Sequence, residues 1–197
     1  MKHILLLLFP ITITACTGNY PVIEGKLPSG AYNNEWVYWV PIKGASAETV
    51  DSTLIHGNTF RLIPSKHNQN KTGIIRVKPQ LRLSLQEIVV LTEPGTVLVT
   101  LDSISSAKGT PLNETLQRWK NKKQEYDNHI RSLYDKYTST DTTGMQAGIK
   151  NASTEYRTYI YRIISENKNN EAGKFLYSLY KSTFTPEQLQ ALAIPEE

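Results

Sequence analysis

A single thiol, at Cys16, is the most reactive side chain among 197 residues. One cysteine can supply a nucleophilic thiolate, but not a disulfide framework, a CxxC redox pair or a cysteine-based zinc site. The imidazoles of His3, His56, His67 and His129 show no HxH, HxxH or HExxH spacing, so no metal centre is expected. Serine and threonine are plentiful, yet neither a GxSxG elbow nor an SxxK pair occurs. Phosphate-cradling GxGxxG and GxxxxGK[ST] loops and a DxDxDG calcium loop are absent as well. The carboxylate pairs Glu114 with Glu125 and Asp127 with Asp135 stand beside lysines on one helical segment, the pattern of solvated charges rather than of an acid–base pair. These residues predict no cofactor and no enzymatic activity.

The setting of Cys16 gives it another chemistry. Lys2 and His3 precede the apolar run Ile4–Ile13, which has the charge-then-apolar order of a secretory signal and is too short to span a bilayer. The run ends in Ile13-Thr14-Ala15-Cys16, which resembles a bacterial lipobox. Small residues let the extended backbone enter the signal peptidase, and the cysteine sulfur is the nucleophile that accepts a diacylglyceryl group. Residues 1–15 are therefore expected to be a lipoprotein signal peptide, with Ile13, Thr14 and Ala15 recognised by the peptidase and Cys16 lipidated. At about 0.8 kcal/mol per buried CH₂, two or three acyl chains anchor a protein stably without a spanning helix. Thr17-Gly18-Asn19 places no Asp at the second mature position and no acidic cluster behind it. The expected address is the outer membrane, facing the periplasm, with the cell surface as the alternative.

The chain carries 22 Lys and Arg against 18 Asp and Glu, a net charge of +4, and 39% of its residues are hydrophobic. With 11 Tyr and 3 Trp it has enough apolar surface to fold. The excess charge is mild and spread out, so nucleic acid is not an expected partner. The densest basic cluster, Lys120-Asn121-Lys122-Lys123, adjoins Glu125 and Asp127 and reads as solvated surface.

Residues 16–109 form a β-rich region. Glu35–Val40 is aromatic and β-branched and stops at Pro41. On such a strand Trp36 and Tyr38 share one face and Trp39 takes the other, which favours burial of at least one face over an exposed stacking platform. Segments 49–55 and 59–63 flank His56-Gly57-Asn58, a hairpin signal. Further strands are expected at Ile74–Val77, Leu81–Leu85, Glu87–Leu91, Thr96–Leu101 and Ser103–Lys108, with a tight turn at Thr92-Glu93-Pro94-Gly95. Six to eight strands at this spacing predict an antiparallel β-sandwich or barrel-like domain.

Several stretches here resemble domain-of-unknown-function family 4369 (the DUF4369 type), found in envelope lipoproteins. They are Asp51-Ser52-Thr53 before a Gly-Asn-x-Phe hairpin, Leu91-Thr92-Glu93-Pro94-Gly95-Thr96-Val97, and Lys108-Gly109-Thr110-Pro111-Leu112-Asn113. The likeness covers about residues 20–118. It implies a β-sandwich-like domain without an established activity, often placed before a thioredoxin-like domain of the AhpC/TSA type. Redox activity does not carry over, because this sequence has no CxxC and its one thiol is assigned to lipid.

Residues 110–197 are expected to be helical. Thr110-Pro111 supplies a cap and a first-turn proline. Leu112, Leu116, Trp119, Lys123, Tyr126, Ile130, Leu133 and Tyr137 follow at alternating spacings of four and three. Thr138–Gly144 is a polar linker, and Met145, Ile149, Ala152, Tyr156, Tyr159 and Ile163 form a second stripe. Segments 110–137 and 145–167 thus predict an αα-hairpin. Short helices at 171–182, burying Phe175, Leu176 and Leu179, and at 186–193, opened by a Thr185/Gln188 capping box, complete an α+β fold. The tyrosines of the hairpin are expected to pack their rings and leave their hydroxyls wet.

The function expected from these readings is a membrane-anchored periplasmic lipoprotein acting as a non-enzymatic binding or scaffolding module with a protein partner in the envelope. The alternatives are an accessory subunit working in trans with a separate thioredoxin-like oxidoreductase, or a glycan- or peptide-binding lipoprotein.

Overall fold

The fold is α+β, with strands in the N-terminal part and helices in the C-terminal part, as the sequence predicts. The computed structural model describes residues 20–77, 85–137 and 142–195. Eight strands run as β1 (Pro21–Lys26), β2 (Trp36–Pro41), β3 (Asp51–Leu54), β4 (Thr59–Leu62), β5 (Thr72–Val77), β6 (Ile88–Leu91), β7 (Gly95–Thr100) and β8 (Ser106–Lys108). Four helices follow: α1 (Pro111–Lys136), α2 (Thr142–Asn167), α3 (Glu171–Tyr180) and α4 (Pro186–Leu192).

The strands form two four-stranded sheets, in the orders β4-β1-β7-β8 and β3-β2-β5-β6. Five of the strand pairs are antiparallel, but β1 and β7 pair in parallel, with Pro21 opposite Gly95 and Lys26 opposite Thr100. The antiparallel expectation thus needs one exception. It is created by β1, a strand absent from the sequence-based list, which enters the middle of its sheet from the N-terminal side.

The His56-Gly57-Asn58 turn is not the hairpin that its composition suggests. Its flanking strands ladder into different sheets, β3 with β2 and β4 with β1, and only His56 and Thr59 bridge across it. The turn is a corner. Gly57 takes φ +64, its N–H is held by Asn33 Oδ1 at 2.8 Å, and Asn58 O accepts from Leu27 N at 2.8 Å. The reason is burial: Ile55 before the corner and Phe60 after it must both face the space between the sheets.

That space is filled by Ile23, Val37, Trp39, Phe60, Ile75, Val97 and their neighbours. Trp39 is fully buried while Trp36 on the opposite face is 41% exposed, which matches the alternation read from the sequence. The two largest rings fit because glycines face them. A Cβ on Gly73 would lie 2.2 Å from the Trp39 ring, and one on Gly25 would lie 1.9 Å from Phe60. Leu85, the described end of the strand expected at Leu81–Leu85, is buried in the same core; residues 81–84 lie outside the described residues.

Register defines two ends of the sandwich. At the near end lie Pro21 opposite Gly95, Pro41 opposite Gly73, and Thr72 opposite Leu91. Lys26 opposite Thr100 and Trp36 opposite Leu54 mark the far end. Tyr20, where the described N-terminus begins, is therefore at the near end, with its carbonyl accepting from Gly95 N.

In the helical half, α1 and α2 form the expected hairpin, and both stripes turn inward except Lys123. The linker is shorter than the sequence suggests. Thr142–Gly144 already belong to α2, and 138–141 lie outside the described residues. Leu179 is 48% exposed, against expectation, because the inward face of α3 is Ala172, Gly173, Leu176 and Tyr177. The capping box at Thr185 and Gln188 forms as read.

Replacing Gly73 by Ala forces the Trp39 ring to move and is expected to cost about 2 kcal/mol in urea unfolding. Gly30→Ala, where the new Cβ meets only an atom at 3.8 Å, should stay within about 0.5 kcal/mol of wild type.

Candidate functional site

The open side of the sandwich exposes two edge strands, β6 of one sheet and β8 of the other. Edge strands carry unpaired N–H and C=O groups, which are costly to bury unbonded. Helix α1 lies along this side, and its side-chain amides finish the ladders. Asn113 pairs with Leu91 on β6 in both directions: Leu91 N donates to Oδ1 at 2.9 Å and Nδ2 donates to Leu91 O at 2.7 Å. One helical turn later, Gln117 Oε1 accepts from Ala107 N of β8 at 2.8 Å. Further on, Lys120 Nζ donates to Ser105 O.

The start of α1 is fixed by a carboxylate from the sheet. Glu93 Oε1 accepts from the free N–H groups of Leu112, at 2.8 Å, and Asn113, at 3.1 Å. Negative charge at this position also complements the helix dipole. Thr110 occupies the N-cap, but its hydroxyl accepts from Asn113 Nδ2 and makes no capping bond, so the cap expected from Thr110 is supplied by Glu93 instead. Thr92 ties the same turn to the neighbouring loop: Lys71 N donates to its hydroxyl oxygen at 3.0 Å, and that hydroxyl donates to Asn68 O.

These contacts fix the direction of the hairpin. Asn113 meets the near end, Gln117 the middle of β8, and Lys120 the loop before β8 at the far end. At ~1.5 Å per residue α1 is ~39 Å long, whereas a six-residue strand spans ~20 Å. The distal half of the hairpin therefore extends away from the near end. There Leu133 packs against Gly148, where an added Cβ would come within 3.0 Å of it, and Tyr134 is 57% exposed.

Nearer the body, the aromatic residues share hydrogen bonds. Tyr126 stacks on Tyr156 with centroids 4.5 Å apart and donates to, or accepts from, Ser153 Oγ at 3.0 Å. The Trp119 indole N–H donates to Tyr180 OH at 3.0 Å, and Tyr180 OH lies 2.9 Å from Tyr156 OH. The rings pack as expected. The hydroxyls of Tyr126, Tyr156 and Tyr180, however, bond within the protein and are not simply wet. Burial, then the Tyr180 bond, pushes the Tyr156 phenol well above its usual range. Burial pushes the Lys120 ammonium down.

Three concave regions adjoin this framework. A cleft of about 470 Å³ at the near end lies between the ends of β2 and β5 and helix α3; its lining includes Ile42, Phe175, Lys43, Lys71 and Lys181, together with Lys174, which pairs with Glu171 at 2.8 Å. A second, of about 350 Å³, lies between β6 and α1 beside Val89, Trp119 and Arg131. The third, of about 530 Å³, is shallow and lies over the outer face of β1, β4 and β7.

Ile13, Thr14 and Ala15, expected to be recognised by a signal peptidase, and Cys16, expected to be lipidated, lie outside the described residues. His56 is in the corner turn and His67 in a short 3₁₀ turn, while His129 is on α1. Among the described residues no group of three His, Cys, Asp or Glu side chains is placed to hold a metal, and no helix is long and apolar enough to cross a membrane. Of the helix carboxylates, Glu125 pairs with Lys122 at 2.8 Å, Asp127 pairs with Lys123 at 2.6 Å, and Glu114 accepts from Gly109 N. Sequence reasoning missed Asn113 and Gln117 as edge-closing groups. The available signal was two amides four residues apart beside Leu116, on a face that the apolar stripe says is inward. In comparisons with protein-family models, curated proteins and solved structures, the chain has no match.

Asn113→Ala strands Leu91 N–H and C=O in a dry interface and should lower the unfolding free energy by about 3 kcal/mol, whereas exposed Asn128→Ala should change little. Because the Tyr156 phenol is raised in the folded state, its stabilising contribution is full below the unfolded value near 10 and falls as pH rises above it. Thermal melts should therefore drop more steeply above pH 10 in wild type than in Tyr156→Phe.

Proposed function

We propose that this chain is an acylated envelope lipoprotein that serves as a non-enzymatic binding or scaffolding module. Lipid on Cys16 holds it at the outer membrane, and the α1–α2 hairpin presents itself to a protein partner. The observation that carries this reading is directional. The described N-terminus, four residues after Cys16, enters at the near end of the sandwich, and the hairpin runs away from that end. An anchor at one pole and a long helical arm toward the other suits a spacer that reaches across a gap. The outward faces of the arm carry Tyr134, Arg131 and other exposed residues on a stiff two-helix support.

The resemblance to family 4369 is part of the proposal. Two of the three stretches that carry it, 91–97 and 108–113, are the two sides of the Glu93–Asn113 joint. Their residues hold a helix against a sheet edge, a structural task that accords with a family of no established activity.

Two measurements test the reading. Cys16→Ala is expected to shift the protein from the membrane pellet to the soluble fraction; retention in the pellet after detergent-free washing overturns the anchoring. A photo-crosslinking amino acid at Tyr134 in intact cells is expected to give a discrete protein adduct that is missing when the probe replaces exposed Thr96 on the sheet. Absence of any adduct at Tyr134 overturns the scaffolding role.

A further inference from the structure

Helix α1 closes the sandwich edge at separate points, and between them a stretch of β6 stays open. Ile42 N donates to Thr72 O, so Thr72 turns its backbone groups toward β2, and alternation along β5 turns Gly73 and Ile75 toward β6. Their partners Val90 and Ile88 therefore face β5, while Val89 and Leu91 face the open side. Leu91 bears this out, since its N–H and C=O are the groups that Asn113 takes. The α1 side chains that reach edge backbone go to Leu91, Ala107 and Ser105, and none goes to Val89. Beyond Glu87 the edge is shut again: Gln86 N donates to Asp102 O at 2.7 Å, and Gln86 Oε1 accepts from Ser105 N. The open stretch is Glu87–Val89, ~10 Å of strand. It lines the 350 Å³ cleft whose other wall is α1. That cleft is apolar at Val89, Leu116 and Trp119 and carries five charged side chains, of which Lys123 pairs with Asp127 and Glu87 with Arg76. The other two, Lys120 and Arg131, have no carboxylate partner among the described residues, and Lys120 Nζ donates to Ser105 O.

We infer that this cleft takes an extended, acidic peptide segment, added to β6 as a further strand. A strand laid here exchanges backbone hydrogen bonds with the N–H and C=O of Val89, the one edge pair of β6 that α1 leaves unmade beside the cleft. Its apolar side chains have Leu116 and Trp119 to pack on, and its carboxylates have Lys120 and Arg131 in the same cleft. Both charges left over there are positive, so an acidic segment is favoured over a basic one. The space between a helix and a strand edge admits an extended chain, whereas a membrane surface or a folded domain cannot enter it. β6 is short, so backbone bonds alone bind weakly and the two cations supply the selectivity. This groove is on the inner side of the helical arm rather than its outward face. Peptide docking here thus goes beyond the anchoring and scaffolding role, and it holds whether or not Cys16 is acylated.

The test measures fluorescence anisotropy of a fluorescein-labelled Val-Glu-Val-Glu-Val peptide titrated with the full-length Cys16→Ser chain, which cannot be acylated. Saturable binding is expected, about tenfold tighter than that of the matching Val-Lys-Val-Lys-Val peptide. No saturable binding, or equal binding of both peptides, overturns the inference. Val89→Pro removes the edge N–H and, because that group faces away from β5, costs no ladder bond. It should weaken binding about tenfold, whereas Val89→Thr, which keeps the N–H, should stay close to the parent chain. Equal loss in both variants, or loss in neither, overturns strand addition. Arg131→Glu, at an exposed position, should narrow the preference for the Glu peptide severalfold, and exposed Lys150→Glu on α2 should leave it unchanged. An unchanged preference in Arg131→Glu, or an equal change in both, overturns the choice of an acidic segment. Should Val89→Pro lose its folded circular dichroism spectrum, the Glu peptide N-methylated at every interior amide provides the second reading with the parent chain. Binding weakened about tenfold or more supports pairing through the backbone, and unchanged binding overturns it.

Discussion

The architecture depends on two amide side chains closing the open side of a sandwich. Asn113 and Gln117, four residues apart on α1, supply to β6 and β8 the hydrogen bonds that another strand would otherwise provide. Each backbone group so satisfied is buried, and a buried donor or acceptor without a partner costs more than a made bond gains. The helix therefore has essentially one position and one direction. Glu93 reinforces the choice by accepting from the first N–H groups of α1, so the sheet both terminates the helix and aims it.

Everything C-terminal inherits that aim. α2 returns along α1 through Tyr126, Tyr156, Leu133 and Gly148, and α3 fits beneath through Trp119, Phe175 and Tyr180. Leu91 lies in the helical core although it belongs to β6, so the two halves share a residue at the joint. The sandwich and the helical region are continuous through packed side chains as well as through the chain.

The sequence made much of this legible where one physical signal dominated. Period-two alternation in Trp36–Val40 put Trp39 on the face opposite Trp36 and Tyr38, and four-three spacing gave both hairpin stripes. It failed where tertiary context outweighed local chemistry. Pro21–Lys26 looks short and unremarkable after the apolar N-terminal run, yet it becomes a central strand because Ile23 and Gly25 fit over Phe60 and beside β7. His56-Gly57-Asn58 has hairpin composition, but composition fixes a turn and not which sheets its arms join. Thr110 was a sound local cap; a carboxylate 17 residues earlier in sequence outcompetes it only because the fold brings Glu93 there. The roles of Asn113 and Gln117 need knowledge that two edge strands lie beneath them, which no local window contains. The stretch Ile13-Thr14-Ala15-Cys16, which resembles a lipobox, lies outside the described residues and is read from the sequence alone.

The sheets have a second pair of margins, β3 and β4, on the side away from α1, joined by the corner at Gly57. Both are only four residues long, and their outward positions include Ser52, Thr59 and Arg61. Short, polar margins offer little for another chain to pair with. Copies crowded side by side are thereby kept from zipping together into fibres, so the protein can be dense without becoming sticky.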